Sequence, residues 1–84
     1  MIKNSFYMIK NSFYFSTEEL LEKGFTKVGM NVQVSRQCSL YISEGEIGDN
    51  VRIDDFCVLK GAIYLGSNVH LAPHTVLSGS GIKY

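Results

Sequence analysis

A bulky aliphatic residue recurs at every sixth position along most of this chain. The longest unbroken series runs Ile47, Ile53, Leu59, Leu65, Leu71 and Leu77. Before Ile47 one interval is seven residues long, back to Leu40. The six-residue spacing then continues to Val34 and Val28. A helix with 3.6 residues per turn cannot place residues six apart on one face, whereas a coil of three short strands joined by corners points all of them inward. The spacing therefore predicts a solenoid whose coils bury one apolar side against their neighbours.

A longer repeat supports the solenoid and locates the extra residue. Similar heptapeptides begin at Val28, Ile47 and Leu65, so their starts lie 19 and then 18 residues apart. Self-similarity at a fixed period is the signature of stacked structural repeats. Since 18 residues are three hexads, the spacing of 19 predicts one bulged residue at a corner between Ser43 and Glu46.

The fifth position is small in six of the hexads, which predicts an inward side chain near a crowded corner; these residues are Val32, Cys38, Val51, Cys57, Val69 and Thr75. Cys38 and Cys57 both occupy this position, 19 residues apart. Adjacent strands lie about 4.8 Å apart, which falls within the Cα separation of disulfides. Stacked side chains of parallel coils nevertheless point the same way, so we predict two free, packed thiols.

The N-terminal part of the chain divides into a duplicated segment and a helix. Residues 1–14 contain MIKNSFY twice in tandem, and we expect this segment to be loose. Residues 15–25 read as a short capping helix, because Ser16 and Glu19 have the spacing of a capping box and Gly24 is placed to end the helix. Its apolar side should plug the first coil; that side consists of Leu20, Leu21 and Phe25.

The β-helix coils are predicted over residues 28–84, approximately as 28–46, 47–64 and 65–82. We expect the solenoid to be incomplete at its C-terminus, because only three coils are present and solenoids need polar terminal caps. Ser78 to Gly81 reads as a loop before a further coil. The net charge of zero and the absence of a long apolar run indicate neither a nucleic-acid nor a membrane partner.

Glycine follows the aliphatic residue in all three copies, at Gly29, Gly48 and Gly66. With the small fifth residue, this pattern resembles the hexapeptide-repeat acyltransferases, which implies an all-β fold, the left-handed parallel β-helix. The hand rests on the resemblance alone, since parallel crossovers generally favour the opposite one. The run from Val51 to Phe56, Val-Arg-Ile-Asp-Asp-Phe, resembles within that family the sugar acetyltransferases that N-acylate dTDP-4-amino-4,6-dideoxyglucose.

The resemblance implies transfer of an acetyl group from acetyl-CoA to an amino or hydroxyl group of a nucleotide-linked amino sugar. It also implies a homotrimer that serves surface polysaccharide synthesis, with each active site in the cleft between two subunits. We expect a cytoplasmic protein, because the N-terminus has no unbroken apolar core typical of a signal peptide. These 84 residues alone should then be inactive. Two alternatives stay open: an O-acetyltransferase acting on a sugar or a small antibiotic, and a non-catalytic β-helix assembly module.

His70 is the candidate catalytic base, because histidine transfers protons near neutral pH. The segment His70-Leu71-Ala72-Pro73 resembles the His-[LIV]-[SA]-Pro segment of related acetyltransferases. His70 should lie in one outward column with Gln33 and Arg52, exposed to solvent and without a carboxylate that holds it in a structural role.

Three further residues are candidates for substrate binding: Asp54, Asp55 and His74. Either carboxylate could hold a sugar amine or orient a histidine, although a lateral charge pair between Asp55 and Arg36 would explain Asp55 without function. His74 should lie at a corner above Phe56. Two histidines four residues apart do not form a zinc ligand set, so we predict no metal.

Overall fold

The computed structural model describes residues 13–84, which form one short helix and seven strands. All strand pairs are parallel, and they form a four-stranded sheet of order β1-β3-β5-β7 and a three-stranded sheet of order β2-β4-β6. Because consecutive strands alternate between the two sheets, the chain winds through about three coils of a parallel β-helix, as predicted. The elements are α1 (Thr17–Glu22), β1 (Lys27–Val28), β2 (Val32–Val34), β3 (Ser39–Ile47), β4 (Val51–Ile53), β5 (Val58–Leu65), β6 (His70–Leu71) and β7 (Val76–Lys83).

The six-residue aliphatic series forms the core of the β-helix. Val34, Ile53 and Leu71 stand directly above one another in the short sheet, and each is at most 1% exposed. Val28 and Leu77, at the two ends of the series, are only half-buried. The central coil is thus the best packed, since it alone has a coil on both sides among the described residues.

The extra residue of the first coil is a bulge in the long sheet. The register between β3 and β5 shifts between Ile42 and Glu44, which leaves Ser43 without a partner. The predicted bulge is therefore confirmed, although it lies inside a strand. A bulge accommodates one residue while the ladders continue on both sides.

The prediction of a loop from Ser78 to Gly81 is wrong. These residues belong to β7 and pair with β5, and the only irregularity is a register shift that leaves Gly81 as one extra residue. The preceding strand offers a ladder of backbone donors and acceptors, and pairing with it outweighs the low strand propensity of glycine and serine.

One corner of the β-helix is marked by a column of asparagines. Asn31, Asn50 and Asn68 all have positive φ, between 57° and 62°. Asparagine tolerates this left-handed backbone better than most residues. The side-chain amides of Asn31 and Asn50 each donate to the carboxamide oxygen of the next asparagine, at 2.9 and 3.3 Å. Sequence reasoning missed this ladder, although asparagine recurs at the fourth position of every heptapeptide copy.

The capping helix is confirmed, with bounds shorter than the predicted 15–25. The Ser16 hydroxyl accepts from the Glu19 N–H at 3.1 Å, and a Glu19 carboxylate oxygen accepts from the Ser16 N–H at 2.8 Å. Gly24 ends the helix with φ of 125°. A Cβ there would lie 2.1 Å from the carbonyl oxygen of Ile42, so only glycine fits.

The helix closes the N-terminal end of the core through two of its three predicted apolar residues. Leu20 and Phe25 are 1% and 3% exposed, but Leu21 is 43% exposed and does not join the plug. Phe25 returns toward the helix because its N–H donates to the Leu20 carbonyl, as in a Schellman motif. That turn buries Phe25 and leaves Leu21 on the outer side.

An ion pair fastens the helix to the first coil. The Arg36 guanidinium makes two bonds to the Glu19 carboxylate, at 2.8 and 3.0 Å, and lies 5.5 Å from the centre of the Phe15 ring. Phe13 and Tyr14 continue along Ser35 and Arg36 through backbone contacts. The prediction of a loose segment at 1–14 otherwise concerns residues outside the described part of the chain.

The two cysteines are free and buried, which confirms their prediction. Each thiol donates to a backbone carbonyl of the coil above: Cys38 to Asp54 at 3.0 Å and Cys57 to Ala72 at 3.1 Å. Among residues 13–84, no helix is long and apolar enough to cross a membrane.

Candidate functional site

The outward side of the short sheet carries the predicted polar column. Gln33, Arg52 and His70 are lateral partners in β2, β4 and β6, and all three are exposed. Their neighbours along each strand point into the core, because side chains alternate across a strand. The structure thus confirms that His70 faces away from the aliphatic core, with 57% of its side chain exposed.

Asp54 joins this column and connects its two upper members. Its Oδ2 atom lies 2.8 Å from Nε2 of His70, and its Oδ1 atom accepts from Nε of Arg52 at 2.9 Å. We call Arg52, Asp54 and His70 the outer cluster. We expected no internal carboxylate that locks His70 into a structural role. Asp54 is an internal carboxylate bonded to His70, although 57% of the His70 side chain stays exposed. Orientation of a histidine was one of the two roles considered for Asp54.

The backbone fixes Asp54 where β4 ends. Its N–H donates to the Leu71 carbonyl at 3.0 Å, and its own carbonyl accepts the Cys38 thiol. Hydrogen bonding from His70, and then from Arg52, holds the pKa of the Asp54 carboxyl below its usual range. The carboxylate is therefore ionised at neutral pH and acts as an acceptor for both neighbours.

Asp55 points in the opposite direction along the solenoid, toward the first coil. Its carboxylate accepts a short hydrogen bond from the hydroxyl of Ser35, which is 4% exposed. These two residues border an open groove of about 410 Å³, which is also lined by Phe13, Tyr14, Arg36 and Gln37. Asp54 and Asp55 are consecutive, so the outer cluster and the groove lie on the two sides of one peptide unit.

His74 lies directly above Phe56 at the corner that follows the short sheet, as predicted. The two rings are stacked, with centroids 5.3 Å apart and planes inclined by 19°. Both residues have positive φ, 64° for Phe56 and 65° for His74, a conformation that is unusual for bulky side chains. The structure therefore brings Asp54 to His70, while Asp55 and His74 have other partners.

Within residues 13–84, no group of three or more histidine, cysteine or carboxylate side chains is close enough to hold a metal ion. What the outer cluster can do is move a proton. An exposed imidazole bonded to a carboxylate is the arrangement of a general base with its orienting group. Asp54 also fixes the imidazole tautomer, since its bond to Nε2 decides which of the two ring nitrogens carries the proton in the neutral ring.

Comparison with known proteins agrees with the repeat architecture. The bacterial transferase hexapeptide family (six repeats) matches residues 45–79, which include the outer cluster and the Phe56–His74 pair. Over these residues the chain is similar to the hexapeptide-repeat transferases. The match to hexapeptide repeats and the two parallel sheets together confirm the predicted left-handed parallel β-helix.

A curated relative from Escherichia coli, dTDP-4-amino-4,6-dideoxy-D-glucose acyltransferase, is 40% identical over 72 residues. The alignment covers 81% of this chain and 38% of the relative, so the chain spans well under half the length of that enzyme. No solved structure matches the chain at a significant level. The repeat match is to a family of bacterial transferases, and the relative is named as a sugar acyltransferase.

Proposed function

We propose that the protein to which this chain belongs transfers an acetyl group from acetyl-CoA to the amino group of a nucleotide-linked sugar, with His70 as the general base. The observation that carries the proposal is the 2.8 Å contact between Nε2 of His70 and Oδ2 of Asp54 on an exposed face. The similarity to an acyltransferase of a dTDP-linked amino sugar supports the class of acceptor.

In the proposed reaction, the acceptor nitrogen attacks the carbonyl carbon of the thioester, so a C–N bond forms and the C–S bond breaks. The amine proton passes to the imidazole of His70, which returns a proton to the departing thiolate. Asp54 stabilises the imidazolium between these two transfers, because an ionised carboxylate interacts more strongly with the charged ring than with the neutral one. Asp55, in the groove beside it, offers a second carboxylate for the acceptor sugar.

We further propose that the protein acts in the cytoplasm as a homotrimer and supplies surface polysaccharide synthesis. The exposure of the outer cluster supports a site completed by another subunit, since 57% of the His70 side chain and 61% of the Arg52 side chain face solvent. Exclusion of water strengthens electrostatic interactions in a site, and a neighbouring β-helix would exclude water here.

The test uses the complete protein as its gene encodes it, acetyl-CoA and dTDP-4-amino-4,6-dideoxyglucose, with release of the free thiol as the signal. His70→Ala should lower turnover by about a hundredfold or more, as expected for losing a general base. Gln33→Ala is the matched control, because Gln33 is exposed in the same column one coil away from the cluster. Undiminished turnover in His70→Ala would refute the assignment, and a hydroxyl acceptor that outcompetes the amino sugar would correct the substrate.

A further inference from the structure

One nitrogen of the His70 ring is already occupied within this chain. Nε2 lies 2.8 Å from the Asp54 carboxylate, which can only accept hydrogen bonds when it is ionised. In the neutral imidazole the proton must then reside on Nε2, and the lone pair available for proton transfer must be on Nδ1. Since 57% of the side chain is exposed, the remaining nitrogen can be reached from outside the chain.

The orientation of Asp54 depends in turn on Arg52. Nε of Arg52 donates to Oδ1 at 2.9 Å, so each carboxylate oxygen has its own donor. Such bonds to charged groups are stronger than bonds between neutral ones. With Arg52 removed, one oxygen would lose its donor and the carboxylate could rotate about its side-chain torsions.

The three residues also stand on rigid backbone. Arg52 and His70 are lateral partners in β4 and β6, and Asp54 follows β4 by one residue with both backbone polar groups bonded. Functional groups on strands are held more precisely than groups on loops. Arg52 therefore fixes Asp54, and Asp54 fixes both the rotation and the tautomer of the imidazole.

We propose that Arg52 is a positioning residue which, through Asp54, presents Nδ1 of His70 as the nitrogen that accepts the proton of the attacking amine. This inference rests on the proposed function. The amine proton moves to Nδ1 as the C–N bond forms, the ring then carries protons on both nitrogens, and Nδ1 returns its proton to the thiolate released by C–S cleavage. The proton on Nε2 stays shared with Asp54 throughout.

The first experiment reads the tautomer directly and needs no turnover. Ring nitrogen-15 shifts of His70 are measured in the complete protein at about pH 8.5, above the ordinary histidine range. The wild-type spectrum should show the proton on Nε2, and Asp54→Asn should shift the ring toward a mixture of tautomers. A wild-type ring protonated on Nδ1, or an unchanged tautomer in Asp54→Asn, would overturn the assignment.

The second experiment separates positioning from structure by kinetics. Arg52→Gln should lower kcat about tenfold with little change in KM, which is the low end of the loss found when the residues that orient a metal-binding histidine are removed. Arg52→Lys should restore part of the loss, because an ammonium can still donate to Oδ1. Lys60→Gln is the control, as it removes the same charge from an exposed position on the other sheet.

The outcomes distinguish the two proposals. If His70→Ala retains full turnover, the proposed function fails, whatever the tautomer. If His70→Ala loses turnover while Arg52→Gln matches Lys60→Gln in kcat, the general base stands and the role of Arg52 is refuted. Because 61% of the Arg52 side chain is exposed, the substitution leaves the core intact, and an unchanged unfolding midpoint verifies this.

Discussion

Replacing Gly61 by alanine tests how tightly the long sheet is stacked beside its bulge, because Gly61 pairs with Ile42. Gly61 has φ of 105°, and a Cβ built there would lie 2.0 Å from the carbonyl oxygen of Gly79. Gly81 provides the matched control, because its φ is 84° and a Cβ there would meet nothing within 4 Å among the described residues. Both substitutions therefore impose a left-handed alanine, but only one creates a clash.

The magnitude follows from these two contributions. A left-handed backbone costs an L-residue about 1–2 kcal/mol, which applies at both positions. At Gly61 the clashing atom belongs to the backbone of the lateral partner, and Gly61 pairs with Gly79 in the ladder. Relieving the clash requires the strands to separate locally, and two weakened ladder bonds at about 1 kcal/mol each add ~2 kcal/mol. We expect Gly61→Ala to lose about 3–4 kcal/mol and Gly81→Ala about 1–2 kcal/mol.

The assay is equilibrium unfolding in denaturant, followed by circular dichroism, with the free energies of both variants compared with wild type. The informative quantity is the difference between the two losses, because the conformational cost of alanine cancels. A difference below about 0.5 kcal/mol, which is within the usual scatter of surface substitutions, would show that the sheet accommodates a methyl group at this position. The stacking argument would then be wrong.

Three further predictions concern the cap and the titrating groups. Ser16→Ala should cost about 1 kcal/mol of unfolding free energy by removing the capping box, and a loss below 0.3 kcal/mol would contradict the observed geometry. Burial is the largest cause that raises the pKa of the Cys38 thiol, from 9.0 to about 11. Because the folded state retains the proton, the free energy of unfolding should fall as pH rises from 9 toward 11. Native protein should resist iodoacetamide at pH 8, and rapid alkylation of Cys38 would refute this. The Ser16 backbone N–H, and then Arg36, lower the pKa of Glu19. The ionised Glu19 therefore stabilises the folded state fully above the ordinary glutamate range, and this contribution is lost as pH falls through the lowered pKa. Glu19→Gln should weaken the decrease of the unfolding midpoint at acid pH, and an unchanged decrease would exclude this contribution.

The fold was predictable because the same physical requirement is repeated in every coil. Each aliphatic at a hexad start fills the same interior position, so its period reports the geometry of the solenoid without any further information. The bulge at Ser43 was predictable for the same reason, since one extra residue displaces the period visibly. The second bulge, at Gly81, was missed because the aliphatic residue that follows it, Ile82, does not open a hexad. A glycine-rich stretch in isolation also favours a loop.

The sequence placed Arg52 and His70 in one row, but it did not predict the contact with Asp54. Period 18 identifies residues directly above one another, such as Arg52 and His70. The Asp54–His70 contact is diagonal, from one coil to the next and two residues along the strand. Whether a diagonal pair meets depends on side-chain torsions, which the repeat does not encode. Arg36 shows the same limit, since it bonds Glu19 of the helix, a partner outside the repeat.

The location of the outer cluster follows from where the repeat is imperfect. The row that contains Asp54 holds Ser35 in the coil below and Ala72 in the coil above. Neither of those residues carries a charge. Of these three equivalent positions, therefore, only Asp54 in the second coil places a carboxylate next to His70 of the third coil. Core positions must stay similar from coil to coil because each packs on its neighbour, whereas outward positions are free to differ. In this solenoid the departures from the repeat, and not the repeat itself, therefore point to the chemistry.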